Sequence, residues 1–273
     1  MENINELYLD LLAKSLTNTI HEDKIKYLPI WNFQHFNVKL ISFLNKILRN
    51  KNLSIVKIST LEDAKLGKVT PYEAETMVGL LRLNNIKNCI ENILKENIKG
   101  DFIETGVWRG GSVIFMQAIL KINNIVDRLI WCADSFEGLP VPNQKLYPDD
   151  GNDEHYKINE LAVSLEEVKF NFKKYNLLDD NIIFLKGWFK DTLPNATIDK
   201  IALLRLDGDL YESTMEALDN LYPKVVIGGY IIVDDYGGVI TCKKAIDDFR
   251  IKMNINEEII KIDWTGVFWR KTQ

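Results

Sequence analysis

No stretch of about 18 apolar residues occurs in the 273-residue chain, which excludes a helix long enough to span a membrane. The start, MENINELYLDLLAKSL, is acidic and lacks a charged-then-apolar leader, so no secretory signal is readable. Cysteine is scarce: Cys89, Cys132 and Cys242 lie far apart and form no CxxC pair. An odd, unpaired set of thiols points to a reducing, cytoplasmic setting. An excess of positive charge is also missing, with 34 basic against 39 acidic residues and a net charge of −5. Phosphate binding needs concentrated cationic charge, so the balance argues against a nucleic-acid binder. There is no repeat and no low-complexity tract. The 46% hydrophobic and 27% charged residues are those of an ordinary folded protein, long enough for one large domain or two small ones.

The first hundred residues read as helical. IKYLPIWNFQHFNVKLISFLNKILRN has apolar residues at three- and four-residue spacing from Trp31 onward. After a polar stretch from Glu62 to Pro71, EAETMVGLLRLNNIKNCIENILKENIKG predicts a second amphipathic helix closed by Gly100. Beyond Gly100 the pattern changes. Short apolar runs such as DFIETG, RLIWCADS, NIIFLKG, KIALLRLDGD and GGYIIVDDYGG alternate with helical segments, the signature of βαβ units around a buried parallel sheet. EEIIKIDWTGVFWRK instead holds two strand-like runs split by Thr265-Gly266, an antiparallel hairpin. Residues 136–161 are polar and rich in Pro, Gly and Asp where a strand should lead quickly into a helix, and read as a lid.

In open α/β sheets ligands bind outside the carboxyl ends of the strands. Glu104-Thr105-Gly106-Val107-Trp108-Arg109-Gly110-Gly111-Ser112 is a glycine turn between strand and helix, where backbone amides and the helix N-terminus favour a negative group. It is neither GxGxxG nor a P-loop. Asp134, closing the next strand, suits the two hydroxyls of a ribose, and with the glycine turn indicates an adenosine-containing ligand. Asp207 and Asp209 end the LLRLDGD strand, and Asp234 and Asp235 end YIIVDD. The 27 positions from Asp207 to Asp234 are one helical crossover plus a strand, so the carboxylates should meet at one sheet edge. Clustered carboxylates repel, and a hard divalent cation with oxygen ligands resolves the repulsion, which points to Mg²⁺. Two solvent-facing acidic strand ends are the plainer alternative.

ETGVWRGGS, ADSFEGLPVP, LAVSLEEVKFNF, GWFKDTLP, LRLDGDLYEST, GGYIIVDDYG and IDWTGVFWR resemble, in this order, the macrocin/mycinamicin-type sugar O-methyltransferase family, to which novobiocin-type enzymes are similar. The likeness runs from about Thr76 to Arg270 and leaves residues 1–75 largely uncovered. It implies an α/β, Rossmann-like class I methyltransferase sheet over residues 76–273, mostly parallel with the C-terminal antiparallel hairpin. A helical N-terminal extension over residues 1–75 would serve acceptor or dimer contacts. The donor would be S-adenosylmethionine, the metal Mg²⁺, the acceptor a sugar-containing small molecule and the assembly a homodimer. Position by position, the resemblance makes Asp207, Asp234 and Asp235 metal ligands. Glu104, Thr105, Gly106, Val107, Trp108 and Ser112 would form the donor loop and Asp134-Ser135 the ribose contacts. Gly187-Trp188 would sandwich the adenine, and Thr76-Met77 would close over the methionine carboxylate.

A neutral sugar hydroxyl is a poor nucleophile, and a bound cation would stabilise its alkoxide. Catechol-type relatives carry a base lysine three residues after the first metal aspartate; here that residue is Leu210, so Asp207 is taken as the base. A phenol or catechol methyltransferase is the nearest rival. A nicotinamide-dependent sugar oxidoreductase or epimerase is the rival of another class, against which stand the glycine spacing and the lack of any Tyr-x-x-x-Lys. A non-catalytic nucleotide-binding module would have no use for three convergent aspartates. His155 in the lid reads as a solvated loop histidine, His21 and His35 have no carboxylate partners in prospect, and Trp31, Phe33 and Phe36 read as core or interface. The Lys-, Ile- and Asn-rich composition points to an AT-rich genome and a sugar destined for a surface polysaccharide, presented as a nucleotide-sugar.

Overall fold

The computed structural model of the protein describes residues 3–20, 25–27, 36–151 and 153–273. His21, Trp31, Phe33 and His35 lie outside the described residues, as does the side chain of Phe36. The chain divides into two compact units, Met1–Leu80 and Leu81–Gln273, a boundary slightly beyond the one expected after residue 75.

In the first unit, helix α1 (Ile4–Leu16) starts where the Asn3 side chain accepts the Asn5 amide at 3.1 Å. It buries Leu9, Leu12, Ala13 and Leu16 at helical spacing. Strand β1 (Ile25–Tyr27) pairs antiparallel with β2 (Lys57–Ser59). Helix α2 (Phe36–Leu48) carries the periodicity expected from Trp31 onward, and α3 (Leu61–Lys65) forms within the polar stretch, capped by Thr60.

The second amphipathic helix, α4 (Leu80–Lys95), is shorter at both ends than its sequence pattern. Gly100 does not close it. Asn97 does, in the left-handed region at φ 56°, with the Asn97 amide on the Leu94 carbonyl and the Ile98 amide on the Ile93 carbonyl. This six-to-one and five-to-two pairing satisfies carbonyls that a helix end leaves orphaned. Asn18, Asn124, Asn176 and Asn254 close four other helices in the same way. Asparagine tolerates that conformation better than other residues bearing a Cβ.

The second unit is built on a seven-stranded sheet in the order β5-β4-β3-β6-β7-β9-β8. Its elements run β3 (Asp101–Thr105), α5 (Gly111–Ile122), β4 (Ile130–Asp134), α6 (Leu165–Lys174), β5 (Ile182–Lys186) and α7 (Phe189–Thr192). They continue with β6 (Ile201–Leu206), α8 (Tyr211–Leu221), β7 (Val225–Val233), α9 (Ile240–Lys252), β8 (Ile260–Lys261) and β9 (Val267–Arg270). The first five strands in sheet order are parallel, and β9 is antiparallel to both β7 and β8, as the split run around Thr265-Gly266 predicts. β3, β4 and β6 are buried along almost their whole length, as central strands of a parallel sheet are. Trp269, Phe249, Leu218 and Ile246 are fully buried in the core under α8 and α9.

The strand order reverses between β3 and β6, which opens a crevice at their carboxyl ends. Those ends are stitched sideways: the amides of Gly187, Gly106, Asp207 and Asp234 donate to the carbonyls of Asp134, Ala133, Thr105 and Leu206, each at 2.9 Å. The connection over 136–161 is more ordered than its composition predicts. It forms three short 3-10 turns and buries Asp150, Ile158 and Leu161, while Val141 and Leu146 at its tip are each 69% exposed.

Gly106 is where the two halves of the sheet press together. Its φ is +87°, and a Cβ there would lie 1.7 Å from the carbonyl oxygen of Asp207. Gly106→Ala should therefore destabilise the protein by about 3 kcal/mol or more. Gly110→Ala, at φ +90° but meeting only side chains, Val168 at 3.1 Å and Phe172 at 3.3 Å, should cost clearly less. Urea denaturation of the two variants checks this; equal losses would mean that the backbone clash does not govern the site.

Candidate active site

The turn after β3 is shaped by its neighbour. One carboxylate oxygen of Asp134 accepts the amides of Val107 (2.6 Å) and Trp108 (3.3 Å), and the other accepts the Phe136 amide at 2.7 Å. Asp134, expected to hold a ribose, thus also fastens the turn through three backbone amides and keeps part of its acceptor capacity. Trp108 sits at φ 47°, unusual for a bulky residue, with its indole N–H on the Glu160 carbonyl at 2.9 Å and the Arg109 guanidinium 4.4 Å from its ring centroid. Gly110 begins α5 without a side-chain cap, which leaves the helix N-terminus to its backbone amides, and Ser112 is buried in the first turn. Gly187-Trp188 are brought beside Asp134 by the Gly187 amide. Thr76 and Met77 belong to the first unit, outside the set that the second unit assembles by itself; the Thr76 hydroxyl there accepts the Val78 amide at 3.3 Å.

β6 and β7 do bring their terminal carboxylates together. Asp207, Asp234 and Asp235 each offer an oxygen within 4.8 Å of the others. The sequence reading missed how their charge is balanced. Arg205 is fully buried and ion-paired with Glu104, with Asp234, and with Asp207 at 2.7 Å. Arg82 on α4 pairs with the other oxygen of Asp234 and, at 2.9 Å, with Asp263 of the hairpin turn. An arginine inside an otherwise apolar central strand was the available signal, since arginine is almost never fully buried unless paired. Nothing comparable marked Arg82, one polar residue on an amphipathic helix.

Two guanidiniums do not neutralise the group. Burial, then the charge of Asp234, pushes Asp207 up to about 6. Burial and Asp207 push Asp209 to about 7, and burial raises Glu104 to about 8 against the pull of Arg205. Asp235 is raised well above the ordinary carboxyl range by burial and by Asp209, Asp207 and Asp234. One Asp235 oxygen is buried with no hydrogen-bond partner among the described residues. An all-oxygen set with residual negative charge and an orphaned acceptor fits a hard divalent cation. Leu210, where the catechol-type lysine would stand, is fully buried. His155 is not the solvated loop residue expected: its Nδ1 lies 2.6 Å from Asp153, and its side chain is only 23% exposed.

The strand order, with an antiparallel strand beyond β7, is that of a Rossmann-like methyltransferase sheet. The family described as Macrocin-O-methyltransferase (TylF) matches residues 5–271. The demethyldecarbamoylnovobiocin O-methyltransferase of Streptomyces niveus is 45% identical over 270 residues, 98% of this chain and 95% of that protein. The 8-demethyl-8-(2,3-dimethoxy-alpha-L-rhamnosyl)-tetracenomycin-C 4'-O-methyltransferase of Streptomyces olivaceus is 43% identical over 272 residues, 99% of this chain and 95% of that protein. Among solved structures, the O-methyltransferase NovP superposes with a TM-score of 0.80 at 43% identity, over 98% of this chain and 100% of that one. The chain belongs to the macrocin O-methyltransferase family and is an S-adenosylmethionine-dependent O-methyltransferase.

Removing one partner of a buried ion pair leaves an uncompensated charge. Arg205→Met should cost about 3–5 kcal/mol in chemical denaturation, and adding Glu104→Gln should return part of it; no recovery in the double variant would contradict this charge balance. The raised carboxyls also set a pH dependence. Their contribution to stability is complete below the ordinary carboxyl range and is lost as pH rises through about 6 to 8. The denaturation midpoint of EDTA-treated protein should therefore fall between about pH 6 and pH 8.5; a flat profile would refute it.

Proposed function

We propose that this enzyme methylates a sugar hydroxyl, with Mg²⁺ held by Asp207, Asp234 and Asp235. The observation that carries the reading is the convergence of these three carboxylates within 4.8 Å, with an unpartnered buried Asp235 oxygen among them. The sugar acceptor draws support from the names of the relatives, which include a rhamnosyl-tetracenomycin enzyme and a mycinamicin 3''-O-methyltransferase. Those acceptors belong to glycosylated natural products, so a glycoside or its nucleotide-sugar precursor is the substrate class. The donor would lie along Thr105–Trp108 and Ser112, with Asp134-Ser135 at the ribose and Gly187-Trp188 at the adenine. Glu104, 1% exposed and tied to Arg205, supports that turn from beneath. A homodimer is part of the same reading: Ile4, Leu7 and Leu11 on α1 are exposed at helical spacing, an apolar face a second copy would cover.

The bound cation would lower the pKa of the acceptor hydroxyl and favour its alkoxide. Transfer in line from the sulfonium then needs chiefly positioning and exclusion of water. The stitched strand ends supply the first and the 136–161 connection the second. The proton passes to a carboxylate of this chain. Asp207, the expected base, is held by Arg205 and stands among the proposed ligands, and both roles would weaken it as a base. Asp209 stands two residues on, outside the ligand set and with no ion pair to either guanidinium among the described residues. We assign the proton to Asp209.

EDTA-treated enzyme should lose methyl transfer to a panel of glycosides and nucleotide-sugars, and Mg²⁺ should restore it. Asp209→Asn should lower turnover by about 10²-fold or more with cation affinity retained, whereas Asp207→Asn should lose cation affinity, both followed by calorimetry. Full activity in EDTA would remove the metal from the reaction. No product from any acceptor of the panel, while S-adenosylmethionine binds, would remove the sugar.

A further inference from the structure

Helix α8 begins immediately after the turn that carries Asp207 and Asp209, yet it has no cap of its own. Its N-cap position is Leu210, which offers no side-chain acceptor. The amides of Tyr211 and Glu212 donate instead to the two oxygens of Asp150, at 2.7 and 2.9 Å. Asp150 lies some sixty positions earlier in the chain, in the connection between β4 and α6, and is fully buried. The turn it braces is strained. Asp209 sits at φ 60°, and the Leu210 amide folds back on the Gly208 carbonyl at 2.6 Å. A non-glycine residue is held in that region only where its surroundings over-determine it. The far side of the same connection is tied to the donor turn, through the Glu160 carbonyl and the Trp108 indole.

We propose that Asp150 is a positioning residue for the reaction: by capping α8 from another segment, it fixes the 207–210 turn and with it the placement of Asp207 among the cation ligands. The inference rests on the metal reading above. Without Asp150, two partly buried amides lose their acceptors, and the turn relaxes by letting Asp209 leave the left-handed region. The orientation of the Asp207 carboxylate then changes with it. A residue that only stabilised α8 would alter the melting temperature and leave ion affinity alone.

The test titrates Mn²⁺, as a spectroscopic stand-in for Mg²⁺, into wild type, Asp150→Ala, Asp150→Asn and, as a control, Asp149→Ala, all at a temperature where near-ultraviolet circular dichroism shows each to be folded. Asp149 is a surface partner of Lys244 at 3.3 Å. Asp150→Ala should weaken Mn²⁺ binding by about tenfold or more, a change of about 1.4 kcal/mol, with S-adenosylhomocysteine affinity within twofold of wild type. Asp150→Asn, which keeps one acceptor oxygen, should recover most of the loss, and the control should match wild type. Wild-type Mn²⁺ affinity in a folded Asp150→Ala would overturn the inference and leave the metal reading standing. No Mn²⁺ binding by wild type would overturn both. Hydrogen exchange of the Tyr211 and Glu212 amides, accelerated at both in Asp150→Ala and at one in Asp150→Asn, is the accompanying structural readout; unchanged exchange in Asp150→Ala would equally overturn the capping role.

Discussion

A single buried guanidinium sits where three strands of the sheet deliver acid. Arg205 on β6 contacts Glu104 from β3, Asp234 from the end of β7 and Asp207 from the end of its own strand. Burying a lone charge is prohibitive, and burying several like charges side by side is worse. Around Arg205 the two problems offset one another, because the acids raise its affinity for its proton and it lowers theirs. The balance is incomplete: Asp207, Asp209 and Asp235 stay raised by burial and by the charge of neighbouring acids.

The surrounding architecture keeps this cluster in place. Gly106 lets β3 and β6 approach to backbone contact, and Asp134 holds the turn after β3 against β4. The hairpin supplies Asp263 to orient Arg82 and the Thr265 hydroxyl to bond the Asp234 carbonyl at 2.9 Å. The antiparallel strands thus do more than finish the sheet: their turn forms the outer wall of the carboxylate site. The connection over 136–161 belongs to the same scaffold, pinned by Asp150 on one side and Glu160 on the other.

Much of this was readable from residue order. Alternating apolar runs and amphipathic stretches located the strands of the second unit, and Thr265-Gly266 marked the hairpin. The acidic strand ends announced their own convergence because parallel neighbours share a carboxyl edge. Features that depend on how each segment settles in the folded chain were less readable. Asn97 took the capping duty expected of Gly100, because a helix stops where its carbonyls find amides rather than at the first glycine. His155 looked like a solvated residue, yet it is half-buried with its ring nitrogen on Asp153.

The division follows from the range of the forces. Periodicity, turn chemistry and the family motifs are local, and they determined on their own that this chain makes a Rossmann-like sheet with acids at its carboxyl edge. Which charge offsets which acid, and which carboxylate caps which helix, depends on separations in space between residues as far apart as Arg82 and Asp234 or Asp150 and Tyr211. Only the folded chain could decide those pairings, because burial is what makes an unpaired charge or amide costly, and burial exists only once the elements have packed.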